Sequence, residues 1–314
     1  MPRYDVIVVG GYFVDLIFNG LPQFPVLGKE IVGSGFEMLP GGAYNAALAM
    51  HRLGLKVGWA ADFGDDDFSR FTVERARTEG LDDALFVHHR RPLRHITVAL
   101  SYPEERSFIT YNDPEPGTPA ALKALVAGSA RVLFISGVYY GNLHHAGSAL
   151  VRAKRMKVFM DGNSGDEVTL ANPAVRRSLQ TVDVFLPNAA EARRMTGKAE
   201  LDEAMAALAT LCPLVIVKDG ANGSYARTGG QTLHAPGISV ASVDTTGAGD
   251  CFSAGFLKAW FDDRSLAECL RWGNVVGGLS TTALGGTGRP VTTADVERLL
   301  HGSAPNRPGL NLSA

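Results

Sequence analysis

The stretch Val243-Asp244-Thr245-Thr246-Gly247-Ala248-Gly249-Asp250-Cys251-Phe252-Ser253-Ala254-Gly255-Phe256-Leu257 passes from small polar residues into an apolar run. Phe252, Phe256, Leu257 and Trp260 recur at helical spacing, which predicts a helix with a buried stripe beyond Gly249. Gly247, Ala248 and Gly249 then fall at the helix N-terminus. Free backbone N–H groups there, with no bulky side chains in the way, can hold an anion. Asp250 falls in the first turn beside that anion hole. Acidic residues are common at helix starts for capping and dipole reasons, but the small-residue nest before Asp250 serves no capping need. A carboxylate next to an anion hole suits phosphoryl transfer to a hydroxyl. The acid accepts the hydroxyl proton, and the N–H groups stabilise charge on the moving group.

Upstream of this stretch, short apolar runs alternate with helical patterns. Candidate strands are 5–9, 57–60, 132–135, 158–160, 184–186 and 214–217. Most are continuous rather than alternating, as strands covered on both faces should be. Helical patterns cover 43–53, 67–79, 143–155, 189–196 and 202–211, and the chain from Ala248 onward reads as mainly helical. This repetition predicts an α/β fold: a mostly parallel sheet with helices on both faces. Segments 12–40 and 93–112 lack intervening helices. The second reads as a hairpin, 95–102 and 106–111, around the polar turn Pro103-Glu104-Glu105. The two are expected to form a small sheet over the ligand-binding ends of the strands. His95, Arg106 and Tyr111 lie on this lid, and strand alternation allows only some of them to face a ligand. The tail, 303–314, is rich in Pro, Asn, Gly and Ser and is expected to fray.

Composition narrows the function classes. The 314 residues carry 30 basic and 32 acidic side chains, a net charge of −2 that gives no electrostatic reason to expect nucleic acid or an anionic membrane as partner. Cys212, Cys251 and Cys269 show no CxxC spacing, so neither a disulfide framework nor a zinc site is expected. No apolar run reaches the roughly 18 residues needed to span a bilayer, and no secretory signal is read at the N-terminus. The cytoplasm is the expected compartment.

Asp244-Thr245-Thr246-Gly247-Ala248-Gly249-Asp250, followed by Phe252 and Gly255-Phe256, resembles the C-terminal signature of the PfkB (ribokinase-like) carbohydrate kinases. The N-terminal signature of that family is matched by Gly41-Gly42-Ala43-Tyr44-Asn45-Ala46-Ala47-Leu48-Ala49, ending at Leu53-Gly54. The resemblance covers nearly the whole chain. It implies a ribokinase-like three-layer sandwich with a β-sheet lid, inserted in one kinase domain over 1–302. It also implies ATP with Mg²⁺, a sugar acceptor and Asp250 as general base. Many relatives pair through the lid sheet, so a homodimer is a candidate assembly.

The remaining motifs are read with the chemistry beside the resemblance. Asp15, after the first strand, can accept hydrogen bonds from adjacent sugar hydroxyls, and in the family this residue binds substrate. Gly41 and Gly42 let backbone approach a ligand, and Asn45 offers both donor and acceptor. Asp161-Gly162-Asn163 resembles the family's Asp-x-Asn-x-Arg, which makes Asn163 a substrate residue. Gly165 stands where the family has Arg. Asn188 and Glu191, three apart at a helix start, can share one face and hold Mg²⁺ near phosphates, mostly through water; an N-capped helix gives the same pattern. Lys218, Gly220 and Gly223 resemble the nucleotide loop, with Lys218 where many members have Thr. That lysine could reach a phosphate or simply be solvated. By resemblance Asn274 and the loop 285–288 flank the adenine pocket. Asp244 and Thr246 match positions that bind a monovalent cation such as K⁺ in many members.

Three other functions share part of this pattern. A nicotinamide-dependent oxidoreductase lacks support, because Gly10-Gly11-Tyr12-Phe13-Val14-Asp15 does not give G-x-G-x-x-G. A catalytically silent sugar sensor would often have lost Asp250 or part of the nest. A nucleoside kinase stays open, because aromatic residues in the lid and in Ile135-Ser136-Gly137-Val138-Tyr139-Tyr140 could stack on a base.

Overall fold

The computed structural model describes residues 2–102, 106–114, 117 and 119–302. The tail read as flexible, 303–314, and the turn at Pro103-Glu104-Glu105 lie outside them. The first half of the chain runs β1 (Tyr4–Val9), β2 (Tyr12–Asn19), β3 (Gly35–Gly42), α1 (Ala43–Arg52), β4 (Val57–Ala60), β5 (Asp62–Phe63), α2 (Asp67–Thr78), β6 (Val87–His88), β7 (His95–Ser101), β8 (Arg106–Asn112), α3 (Pro119–Ala127) and β9 (Ala130–Ile135). The second half runs α4 (Asn142–Ala153), β10 (Lys157–Asp161), α5 (Pro173–Leu179), β11 (Val184–Leu186), α6 (Ala189–Thr196), α7 (Leu201–Ala209), β12 (Leu214–Lys218), β13 (Ser224–Thr228), β14 (Gln231–Ala235), α8 (Ala248–Phe261), α9 (Leu266–Ser280) and α10 (Thr293–Gly302).

The main sheet has eight strands in the order β14-β13-β12-β11-β10-β9-β1-β4. It is parallel from β4 through β12 and finishes in the antiparallel hairpin β13–β14. Side chains on its two faces sort into two cores. Val6, Val8, Phe134 and Phe159 meet α1, α8 and α9 on one side. Ile7, Leu133, Val158 and Phe185 meet α3, α6 and α7 on the other. Burial on both faces explains why these strands read as unbroken apolar runs.

The six strands and five helices expected from the sequence are all present, with ends moved by one or two residues. Besides the two-residue strands β5 and β6, four elements were not expected: β13, β14, α3 and α5. The two strands carry polar residues on an edge hairpin, and the helices are only nine and seven residues long, too short for a clear period.

Segments 12–40 and 93–112 form a separate four-stranded sheet, β3-β2-β7-β8. β2 pairs parallel with β7, bringing two distant segments together. Register places Asp15 opposite Leu39 and Thr97, and Val14 opposite Pro40 and Ile96. Strand alternation then separates two faces. Phe13, Asp15, Gly41, His95 and Thr97 share one. Met38, Phe36, Val98, Ile109 and Tyr111 share the other. On this second face Phe36, Ile109 and Tyr111 are exposed.

Candidate functional site

α8 begins without a side-chain cap, after Gly247 at φ +67°. A Cβ on Gly247 would stand 2.5 Å from Gly286 Cα and 2.9 Å from Asn45 Nδ2, so the turn requires glycine both for space and for its left-handed backbone. The Ala248 N–H is turned back to the Thr245 carbonyl at 3.2 Å. Of the three residues read as donors, Gly247, Ala248 and Gly249, only Ala248 has its N–H so engaged among the described residues. The N–H groups of Gly249 and Asp250 meet no acceptor among the described residues, and these are the open end of the helix.

Asp250 is half-buried and lies beside the Asn45 side chain. Burial raises its carboxyl most, and the neighbouring Asp161 charge adds to this. Lys218 and Asn45 pull in the opposite direction, and the carboxyl rests at about 7. That value suits a base working near neutrality. Asn45 is 3% exposed, and its Oδ1 is a buried acceptor with no partner in the protein. A ligand hydroxyl would satisfy it.

Asp15 lies behind Gly41, where a Cβ would come within 2.3 Å of its Oδ2. Burial, and secondarily the charge of Asp244, lift its carboxyl to about 6. His95 lies on the same lid face but is packed away, 4% exposed, with its ring against Tyr12 and Phe13. Tyr111 is on the opposite face, where its hydroxyl donates to Asp113 at 2.9 Å. The Arg106 side chain falls outside the described residues.

Lys218 closes β12 and Asp161 closes β10, with β11 between them in the sheet. The three-residue β11 stops at Leu186, and the lysine crosses beyond its end. Lys218 Nζ meets both Asp161 oxygens, at 3.0 and 2.8 Å, and the two side chains are 11% and 7% exposed. Sequence reading left Lys218 between a phosphate contact and solvent and gave Asp161 no role. The available signal was two opposite charges, each ending a buried apolar strand.

A cleft of about 620 Å³ opens at the ends of β10 and β12 and the start of α8, and Asp15, Gly41, Gly42 and Asn45 are not in its lining. Asp161, Asn163, Asn188, Glu191, Lys218 and Asp250 supply its polar lining, and Ile238, Val240 and Phe252 its apolar lining. Gly220, Gly223, Gly247 and Gly249 also line it, so backbone there can be approached closely. Asn274 lines the cleft, but its Nδ2 donates to the Ala235 and Pro236 carbonyls at 3.0 Å each, so it fixes the wall. The loop 285–288, expected beside adenine, is not in this lining. Gly286 packs on Asn45, and the Gly285 N–H donates to Asp244 Oδ2 at 2.8 Å. Asp244 Oδ1 accepts the Thr246 N–H at 2.7 Å, so this carboxylate clasps the loops on either side of the anion hole.

Asn188 and Glu191 form a reciprocal capping box at the start of α6. Glu191 Oε2 accepts the Asn188 N–H at 2.7 Å, and Asn188 Oδ1 accepts the Glu191 N–H at 2.8 Å. Capping and metal binding were alternative readings of this pair, and the capping geometry is present. It leaves the second Glu191 oxygen for a ligand. Burial, then the Asp161 charge, raise the Glu191 carboxyl, and the cleft lining holds the acids Asp161, Glu191 and Asp250 with one lysine, Lys218. The residues therefore fit a hydrated divalent cation shared with phosphate oxygens. Among the described residues no group of three His, Cys, Asp or Glu side chains could hold a metal alone. The loop that lacks the family arginine at Gly165 is held from α6, where Arg194 donates to the Gly165 and Ser164 carbonyls. The three cysteines are free and buried, with thiols pushed up to about 12 by burial.

The fold is shared with kinases of the ribokinase type. A ribokinase from Arabidopsis thaliana, solved with ribose and ATP, superposes with a TM-score of 0.79 at 23% identity, covering 95% of this chain and 99% of that one. An adenosine kinase from Sinorhizobium meliloti superposes at 0.71 and 21% identity, covering 96% and 100%. In sequence, the chain is 26% identical to Bacillus subtilis ribokinase, over 94% of this chain and 99% of that protein. It is 28% identical to fructokinase-2 of Solanum lycopersicum, over 86% and 89%. The profile described as pfkB family carbohydrate kinase matches residues 5–294. The chain belongs to that family and is a carbohydrate kinase, a phosphotransferase with an alcohol group as acceptor. No helix among the described residues is long and apolar enough to cross a membrane.

Proposed function

We propose that the protein transfers the γ-phosphoryl group of ATP to a primary hydroxyl of a sugar, with Asp250 as general base. The observation that carries this reading is the Asp250 carboxylate at the uncapped start of α8, beside the open N–H groups of Gly249 and Asp250 and the unpartnered Asn45 Oδ1. Asp15, Asn45 and the backbone at Gly41 and Gly42 bind the acceptor, and Asn163 reaches it from the end of β10. Nucleotide follows the cleft past Lys218, Gly220 and Gly223 toward Asn274. Mg²⁺, held through water near Asn188 and Glu191, neutralises phosphate charge when bound. Asp250 takes the hydroxyl proton as the oxygen attacks phosphorus. The N–H groups of Gly249 and Asp250 stabilise the charge on the transferring group. Lid closure over Asp15 excludes water, which suppresses ATP hydrolysis. Asp244 and Thr246 flank the anion hole as the candidate K⁺ position.

The lid also supports a homodimer. Its face away from Asp15 exposes Phe36, Ile109 and Tyr111, and a second copy of this face would cover them.

An ATP/Mg²⁺ assay over sugars, sugar acids and nucleosides, with Asp250→Asn as blank, tests the reading. One strongly preferred sugar, with turnover in the blank lower by ~10²–10⁴, is the expected result. A nucleoside as the preferred acceptor overturns the sugar assignment but keeps the base. Ligand-induced thermal shifts without turnover would indicate a sensor.

A further inference from the structure

The Asp161–Lys218 pair is buried, ionic and placed where stability alone does not account for it. Removing two charges from water costs more than a pair of this kind returns in most proteins, and an apolar pair would serve the core as well. Its carboxylate is fixed from several directions. Besides the two bonds from Lys218, Asp161 Oδ2 lies 3.2 Å from Ser253 Oγ, whose single proton is shared with the Gly249 carbonyl at 3.0 Å, and Oδ1 lies 3.4 Å from the Asn163 N–H. Ser253 sits on the first turns of α8, so the pair is tied to the helix that presents the anion hole. Lys218 Nζ would lie 3.2 Å from a Cβ placed on Gly249. The ammonium therefore sits against the residue whose N–H is open. An ammonium has three donors, and Asp161 takes two.

We propose that Asp161 is a positioning residue, which holds the Lys218 ammonium beside the open start of α8 so that its remaining donor meets the γ-phosphoryl group. Asp161, Glu191 and Asp250 bring three carboxylates to the cleft, and Lys218 is the cation within it that is bonded to one of them. Held there, it offsets repulsion between these acids and the triphosphate and strengthens as charge gathers on the transferring oxygens. A lysine without its carboxylate would keep the charge but lose the geometry, because its four-carbon stem is flexible. The proposal rests on the kinase reading above for its phosphoryl group.

The test compares Lys218→Met, Asp161→Asn and the double variant. Each is measured for kcat, for KM of ATP and acceptor, for thermal midpoint, and for the affinity ratio of ATP over ADP by calorimetry. Lys218→Met is expected to lower kcat by ~10² and to reduce the preference for ATP over ADP. Asp161→Asn is expected to lose ~10-fold or more in the same two quantities with little change in acceptor KM, and the double variant to be no worse than Lys218→Met. Ser253→Ala, which removes one anchor and no charge, gives a smaller loss in the same direction and replaces Asp161→Asn if that chain does not fold. Wild-type kcat and ATP preference in a folded Asp161→Asn, or in Ser253→Ala when it stands in, overturn the proposal, whatever the thermal midpoint does. Losses that add in the double variant overturn it too. If the wild type phosphorylates no acceptor, the kinase reading fails separately, and the ATP over ADP ratio still decides whether Asp161 acts through Lys218.

Discussion

Asp250 illustrates how one side chain is tuned by its surroundings. Its folded-state carboxyl rests at about 7, above the ordinary value near 4 that it would have in the unfolded chain. The folded protein thus holds this proton more tightly, and stability is lost as pH rises through that window. Asp250→Asn is therefore expected to melt higher than wild type above neutrality, on the order of a few °C, with the advantage vanishing below pH ~4. A thermal scan from pH 4 to 8 checks this, and a midpoint lowered at every pH would contradict it. The same shift predicts that kcat/KM falls on the acid side as Asp250 takes up its proton. The sequence marked Asp15 as a candidate substrate carboxylate, but not that it lies close behind Gly41. Gly41→Ala should displace that carboxylate and raise the acceptor KM at least ~10-fold, leaving the KM of ATP near wild type. A steady-state titration of both substrates distinguishes this from a general loss of activity.

The start of α8 shows which features of an element are local. Phe252, Phe256 and Leu257 announced the helix, and small residues announced its open end, because both follow from sequence neighbours. Which N–H groups remain free depended on the 245–248 turn, where Ala248 finds an acceptor three residues back. Gly247→Ala should cost most in this turn. Its Cβ would collide with Gly286 Cα at 2.5 Å, and the left-handed backbone penalises any side chain. We expect ATP binding measured by calorimetry to weaken by ~10-fold or more, with far-ultraviolet dichroism unchanged. Asn188 and Glu191 teach a related lesson. Their spacing predicted both a cap and a metal contact, and the capping box leaves only part of the pair for a cation.

Across the molecule, the lid sheet has two unlike faces. One carries Phe13, Asp15 and Thr97. The other carries Met38, Ile109 and Tyr111 toward solvent. Ile109→Glu should therefore shift a dimer to monomer in sedimentation velocity while leaving the melting of the main sheet within about 2 °C of wild type. A wild-type monomer at all concentrations would remove the basis for that assembly.

The main sheet and its helices were readable from the residue order because each buried strand is a continuous apolar run and each long helix repeats its stripe. The polar edge hairpin β13–β14 was not, since no apolar period marks it. Asp15, Asn45, Asn188, Lys218 and Asp250 were likewise visible as residues of the right chemistry. Their relations were not. The Lys218–Asp161 pair spans 57 positions and passes beyond the end of a shorter intervening strand. The loop 285–288 packs against Asn45 because α1 and α8 bring those turns together. Such contacts depend on strand order and crossover, which local spacing does not encode. Spacing along a chain fixes which side chains share an element, whereas burial, charge coupling and the reach of one group to another arise when distant elements pack.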